Sequence, residues 1–310
     1  MLERKYVSEF ALHTYSSYVT ICYPNDLRTL NLESKNHIYM VTLIPKLTFN
    51  PDSLEIFEDH ISFKVNIKTE VENTSHEIKV GITPDNHKDF EYRFDKPLKT
   101  LFVKNKNGAE FGIRVLWLYL EASGNYLDAE IMYIGQSFGK EGERDAFDRL
   151  KSHSTLQKIQ SDILFEEPDN DIAIILFEFT PRLLASFDGL TKQFEKSLEE
   201  DNEHFLSVID QPPLELTKPI ITITEAALIH YFKPKYNTNF KNNFPDSDHI
   251  YKEFYELDYN AVLVELDMDA INVNLFSKEK EYNPFEHIEY TLHPENVRKN
   301  MFEIFGENEK

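Results

Sequence analysis

The chain has 310 residues, of which 41% are hydrophobic and 28% are charged, a composition typical of ordinary folded domains. It contains no run of about 18 apolar residues and no apolar stretch behind its charged N-terminus, so neither a membrane span nor a signal peptide is expected and a cytoplasmic location is predicted. With 33 basic and 54 acidic residues, the net charge of −21 argues against a protein that coats nucleic acid broadly.

Residues 1–108 show short runs of β-branched and aromatic residues separated by turn signals, which predicts a β-rich domain but does not define its topology. In one run, Phe63, Val65 and Ile67 alternate with polar residues, as in a sheet with one wet face. No chemical motif is present, so we expect this domain to select the substrate or a partner. The predicted strands lie at 18–23, 38–44 and 61–67.

Residues 109–245 alternate strand-like and helix-like patterns. Two strands are predicted at 115–120 and 131–137, joined by a hairpin through Ser123-Gly124-Asn125. Alternation along these strands would bring the phenols of Tyr119 and Tyr133 to the same side, where they can share a water.

A helix is predicted after this hairpin, at 147–153. Arg149 and His153 are four residues apart and would project from neighbouring positions on it. An apolar run at 172–179 predicts another strand, and an insertion at about 181–221 includes an amphipathic helix over 190–206, interpreted mainly as domain packing.

A last helix of this central part contains Glu225 and is followed by Asn237. Residues 246–310 form a C-terminal extension with predicted strands at 261–266 and 271–276 and a final helix near 295–305.

The central segments together contain two phenols, a guanidinium, an imidazole, a carboxylate and an amide, which are groups that metal-dependent phosphodiester cleavage uses. They resemble the GIY-YIG nuclease domain over residues 112–243. Tyr133-Ile134-Gly135 matches the second motif in full. Trp117-Leu118-Tyr119, at the first motif, keeps the tyrosine but lacks the glycine. The Arg149 helix, the Glu225 helix and Asn237 follow in the family's order.

This resemblance implies an α+β fold in which a small mixed α/β nuclease domain lies between the β-rich domain and the short α/β extension. It implies that Glu225 binds Mg²⁺ or Mn²⁺, that Arg149 steadies phosphate charge, and that one of the two tyrosines helps deprotonate water. His153 would position a water or phosphate, and Asn237 would hydrogen-bond the phosphate or its neighbours. Hard cations prefer oxygen ligands, and the single cysteine, Cys22, offers no thiolate cluster for zinc.

Each of these residues also has a purely structural interpretation. The tyrosines fit cross-strand packing, and Arg149 fits a helix ion pair with Asp145. Thr222-x-x-Glu225 fits a capping box at a helix start. Asn237 fits a turn that ends the helix, and His153 fits a solvated helix face.

The predicted function is a Mg²⁺-dependent endonuclease that acts on DNA more readily than RNA and does not bind membranes. The alternative is an inactive GIY-YIG-like module that binds nucleic acid or protein, and a homo-oligomer or a protein partner held through the first 108 residues stays open. Nucleic-acid binding is assigned to an acid-free basic segment that contains Lys233, Lys235 and Lys241.

Overall fold

The computed structural model describes residues 4–28, 30, 36–69, 71–82, 89–136, 154–187 and 193–293. In this part the chain mixes strands and helices around one large sheet, in agreement with the expected α+β class. The strands are β1 (Ser8–Cys22), β2 (Ile38–Phe49), β3 (Glu55–Ile56), β4 (His60–Lys68), β5 (Asn73–Gly81), β6 (Phe90–Phe94), β7 (Thr100–Asn105), β8 (Glu110–Arg114), β9 (Leu127–Gln136), β10 (Asn170–Phe187), β11 (Ala261–Asp267), β12 (Val273–Phe276) and β13 (Phe285–Thr291). The helices are α1 (Val115–Ala122), α2 (Ser154–Glu166), α3 (Leu198–Ile209), α4 (Lys218–Phe232) and α5 (Glu253–Glu256), with 3-10 turns at Pro24–Arg28 and Asp269–Ile271.

The large sheet has ten described strands, and its continuous path runs β12-β9-β2-β10-β1-β11-β13. β4 pairs with the second half of β2 and also with β3 and β5. β1 and β10 pair over almost their whole length, from Ser8 opposite Phe187 to Cys22 opposite Ile174. β6, β7 and β8 form a separate antiparallel sheet of three strands in the described part of the chain.

Strands from all three predicted domains pair within the large sheet, across the predicted boundaries near residues 108 and 245. β1 and β2 come from the predicted N-terminal domain, yet they pair with β10 and β9 of the predicted nuclease domain. β11, from the predicted C-terminal extension, pairs with β1. Composition and turn signals mark where strands end, but they carry no information on which strands pair when the partners lie far apart in sequence.

Most of the predicted strands are confirmed. The runs at 18–23, 38–44 and 61–67 lie in β1, β2 and β4, and the runs at 172–179, 261–266 and 271–276 lie in or overlap β10, β11 and β12. In β4 the alternating residues Phe63, Val65 and Ile67 are buried while Lys64 is exposed, as the pattern predicted.

The predicted strand at 115–120 is wrong, because these residues form helix α1. A strand would bury Trp117 on the same face as Val115, whereas Trp117 is 38% exposed and its indole donates to the carbonyl of Ile21 at 2.7 Å. All six residues are apolar or aromatic, so they offer no period that separates helix from strand, and α1 packs against β2, β5 and β8 instead. The predicted hairpin between two tyrosine strands is therefore absent at this place.

Two helices cover opposite faces of the sheet near β2 and β9. Met40 and Ile134 point toward the core that α4 completes, while Tyr39 and Met132 belong to a second core that α2 covers. β12 pairs only with Leu127–Glu130 of β9. The remaining part of β9 is thus an edge between the two helices, and the candidate site lies there.

The predicted helices fall into two groups. The Glu225 helix is confirmed as α4, and the insertion contains α3, which starts at Leu198 rather than at 190. The helices predicted at 147–153 and 295–305 lie outside the described residues. No helix in the described ranges has both the length and the apolar character that a membrane span requires.

Candidate functional site

A cleft of about 540 Å³ opens at the C-terminal end of β9, where α4 forms one wall. Lys218, Thr222, Glu225 and Ile229 line it at positions i, i+4, i+7 and i+11 of this helix, so they share one helical face. The remaining wall comes from β9, from the first turn of α2 and from the chain after α4. These parts contribute Tyr133, Gln136, Thr155, Tyr236, Asn237, Thr238, Asn239, Phe240, His249 and Ile250.

Glu225 is held in a defined orientation at the centre of this helical face. It is 8% exposed, and its Oε2 accepts a hydrogen bond of 2.6 Å from Nε2 of Gln136. The same amide nitrogen lies 3.2 Å from Oγ1 of Thr222. Gln136, the last residue of β9, therefore ties the carboxylate of α4 to the end of the strand.

The capping-box interpretation of Thr222 and Glu225 is wrong. α4 begins at Lys218 after the N-cap residue Thr217, so Thr222 and Glu225 lie within the helix and not at its start. Their spacing of three reflects a shared face toward the cleft. Gln136 is a residue of the site that was not predicted from the sequence, although its position directly after Tyr133-Ile134-Gly135 was the available signal.

The donor set around Glu225 fits a hard divalent cation. It consists of the carboxylate oxygens of Glu225 and the hydroxyl of Thr222, while Gln136 presents its amide nitrogen to both, and Mg²⁺ in proteins is commonly held by one or two carboxylates while it keeps several waters. The described residues include no cluster of three or more His, Cys, Asp or Glu side chains that could hold a metal. A cation at this place would therefore depend on Glu225 as its one charged protein ligand among the described residues that line the cleft.

Tyr133 has a tyrosine partner, but this partner is Tyr39 on β2. Tyr39 lies opposite Gly135 in the antiparallel β2-β9 pair, and the ring centroids of Tyr39 and Tyr133 are 6.2 Å apart. A Cβ atom at Gly135 would lie 2.6 Å from Cζ and the hydroxyl oxygen of Tyr39 and 2.7 Å from Cε1 of Tyr133. The glycine leaves room for both rings.

The two phenols differ in access to the cleft. Tyr39 is fully buried, whereas Tyr133 is half-buried and lines the cleft. Tyr133 is thus the phenol that can reach a ligand, and Tyr39 is the ring that supports it. From the sequence, Tyr39 is an ordinary strand residue. Its contact with Tyr133 could not be predicted, because it depends on pairing between residues almost a hundred positions apart in the chain.

Tyr119 does not join this pair. It is 2% exposed in α1, and its hydroxyl lies 3.2 Å from Nδ1 of His76 on β5. Burial raises the pKa of Tyr119, which makes the phenol a weaker source of phenolate. The structural interpretation of this tyrosine as a packed side chain describes it correctly, although the packing is helix on sheet.

Asn237 anchors the chain after α4 along the free edge of β9. Its Oδ1 accepts from the amide of Ile134 at 2.9 Å, and its Nδ2 donates to the carbonyl of Ile134 at 2.8 Å. The side chain thus pairs with β9 as a neighbouring strand would, and it satisfies backbone groups that the edge leaves open. The amide of Tyr236 adds a hydrogen bond to the carbonyl of Met132 at 3.0 Å. Asn237 therefore positions the wall of the cleft.

The predicted basic residues lie apart from the lining of the cleft. Lys235 is exposed and pairs with Glu166 at 3.1 Å, while Lys233 ends α4 in a left-handed conformation. Neither they nor Lys241 belong to the lining, where Lys218 is the one cation among the described residues. Arg149 and His153 lie outside the described residues.

Comparison of the chain with models of known protein families, with curated proteins and with solved structures gave no match.

Proposed function

We propose that the chain is a metal-dependent phosphodiester hydrolase that acts on nucleic acid, with its active site in the cleft at the end of β9. The observation that carries this proposal is the convergence of Glu225, Gln136 and Thr222 with the Tyr39-Tyr133 pair at one strand end. A buried carboxylate that faces a polar cleft beside a reachable phenol is a combination suited to the activation of water.

The position of Tyr39, in place of Tyr119, supports the resemblance to a GIY-YIG domain. Ile38-Tyr39 on β2 lies beside Tyr133-Ile134-Gly135 on β9, so the two motif strands are direct neighbours when the first motif is assigned to Tyr39. Glu225 then lies on a helix that packs against the second of these strands. Arg149 keeps its predicted role of steadying phosphate charge.

In this proposal each described residue has one task. A divalent cation, when bound at Glu225, would lower the pKa of water and offset phosphate charge. Tyr133, in its phenolate form, would take the proton of the attacking water as the water oxygen adds to phosphorus, the phosphorus–oxygen bond to the leaving alkoxide would break, and solvent water would protonate that alkoxide while the phenol returns its proton to solvent. Tyr39 fixes the ring of Tyr133, Gln136 fixes the carboxylate, and Asn237 keeps the cleft wall on β9.

The second candidate is an inactive module that binds nucleic acid or protein. It is favoured by the 2.6 Å hydrogen bond between Gln136 and Glu225, because a carboxylate already held by an amide can serve packing alone. The two candidates differ in whether a cation competes for this carboxylate.

A cleavage assay decides between the two candidates. Single-stranded, duplex and branched DNA and RNA of the same sequence would be incubated with the chain in Mg²⁺, in Mn²⁺ and in EDTA. The hydrolase proposal predicts cleavage with either metal and none in EDTA. Binding without cleavage of any of these substrates would support the inactive module and contradict the hydrolase.

A further inference from the structure

The cleft extends along the axis of α4, because its lining residues include positions in both the first and the last turn of this helix. Lys218 lies in the first turn of the helix and Ile229 in the last, a separation of eleven residues, or about 16 Å at 1.5 Å per residue. Glu225 lies between them. At 3.4 Å per stacked nucleotide, this length corresponds to about four or five nucleotides.

Lys218 is available to a ligand at one end of the cleft. The side chain is exposed, and no acidic partner is found for it within the described ranges. This distinguishes it from Lys235, whose ammonium group is already paired with Glu166. A lysine without a protein counter-charge is the better phosphate ligand, because binding a phosphate breaks no existing ion pair.

His249 lies at the other end, near the C-terminus of α4. Its ring stacks on Tyr251 with centroids 4.7 Å apart and meets the ring of Phe240 edge-on at 5.0 Å. The carbonyl of Phe240 in turn lies 3.2 Å from Nδ1 of His230, the third-last residue of α4. The imidazole is therefore fixed in place and not free to rotate away from the cleft that it lines.

The two ring nitrogens of His249 have different surroundings. Nδ1 is buried and has no hydrogen-bond partner among the described residues, whereas Nε2 is not buried in this way. Nε2 is therefore the ring nitrogen that a ligand in the cleft can reach.

The lining also contains more aromatic rings than cations. Tyr133, Tyr236, Phe240 and His249 are half-buried and border the cleft, while Lys218 is the one lining cation in the described part of the chain. Duplex binding depends on several lysine or arginine contacts to phosphate, whereas sites for unpaired strands add aromatic surfaces on which bases stack. The aromatic surfaces of the lining therefore favour an unpaired strand, whose bases are free to stack on them.

We propose that the cleft binds a single unpaired nucleic-acid strand lengthwise along α4, with Lys218 on a phosphate at one end and Nε2 of His249 on a phosphate at the other. The scissile phosphate then lies between them at Glu225. This inference rests on the proposed function for the position of the cut, while the binding path stands on the lining residues themselves.

The test measures binding of fluorescent 12-nucleotide DNA, single-stranded and duplex, over a range of salt concentrations in EDTA. Lys218→Ala should weaken single-strand binding several-fold and lower the slope of log K against log salt by about 0.7, the value for one phosphate of a single strand. The matched control is Lys235→Ala, which should change neither quantity. Tighter binding of the duplex, or a slope change in the control alone, would overturn the proposal.

His249→Ala should weaken binding several-fold, because it removes the ring nitrogen that contacts the phosphate. His249→Gln keeps an N–H donor and should recover part of the loss. Neutral methylphosphonate groups, placed one at a time along the strand, should locate both contacts. One position should lose its effect in the Lys218→Ala variant and another in the His249→Ala variant. Additive effects at every position would contradict the path.

These experiments distinguish an error in the proposed binding path from an error in the proposed hydrolase function. A chain that cleaves nucleic acid but binds normally after both alanine substitutions refutes the path and leaves the hydrolase standing. A chain that binds along this path and never cleaves refutes the hydrolase alone.

Discussion

Tyr119 and Tyr133 lie in neighbouring segments of similar composition, yet their phenols have different surroundings. Tyr119 is buried between α1 and β5, where its hydroxyl contacts His76. Tyr133 lies near the end of β9, where the sheet edge is open and a second tyrosine supports its ring. A tyrosine is therefore a candidate for catalysis when it lies at a strand end beside a helix. The residue type alone does not predict a catalytic role.

The largest effect is expected from the carboxylate of the cleft. Glu225→Gln keeps the shape of the side chain and removes its charge, so cleavage should fall by about 10²–10⁴-fold, the rate equivalent of several kcal/mol. Glu199→Gln, on the exposed surface of α3, is the matched control and should cleave normally. The measurement is the single-turnover rate, with melting temperature recorded for both variants. A normal rate in Glu225→Gln would remove this residue from the site.

Substitution of Tyr133 should affect the cleavage rate, whereas substitution of Tyr119 should affect stability. Tyr133→Phe should lower the cleavage rate by about 100-fold, because the lost hydroxyl contacts the reacting water. Tyr119→Phe should cleave at the normal rate and lose about 0.5–1.5 kcal/mol of unfolding free energy, the usual contribution of one hydrogen bond. Rates and urea denaturation curves would be compared side by side. The comparison fails when Tyr119→Phe is the slow variant.

Gly135 allows the Tyr39 and Tyr133 rings to approach each other. Gly135→Ala would place a Cβ atom 2.6 Å from the buried Tyr39 ring, so the rings must shift. We expect a loss of about 1–3 kcal/mol in unfolding free energy and a lower kcat. Gly81→Ala is the control, because a Cβ atom there meets nothing within 4 Å. Equal behaviour of the two variants would show that the ring pair needs no glycine.

The smallest effect concerns alkaline stability. Because burial raises the pKa of Tyr119, the folded state holds this proton at pH values where the unfolded chain has released it. The resulting stability is present below the ordinary tyrosine pKa of about 10 and is lost as the pH rises above it. Tyr119→Phe should therefore lose less stability than the parent between pH 9 and 11. An identical pH dependence for both chains would show that Tyr119 does not contribute to it.

The sequence was sufficient to predict elements that have a clear hydrophobic period or clear turn residues at their ends. The alternation in β4 and the apolar run of β10 predicted strands correctly, and the segments that contain Tyr133, Glu225 and Asn237 meet in one cleft. It was insufficient at 115–120, where an unbroken apolar run hides the period. It also could not show Tyr39 as the partner of Tyr133, because that contact depends on long-range strand pairing.

The central claim is that Glu225 holds a divalent cation in the cleft at the end of β9. Paramagnetic broadening of isoleucine methyl signals by Mn²⁺ tests it without reference to activity. We predict that low Mn²⁺ concentrations broaden Ile229, which lines the cleft, before Ile113 on β8, and that Glu225→Gln abolishes this preference. Broadening of Ile229 that persists unchanged in Glu225→Gln, or that appears first at Ile113, would contradict the claim.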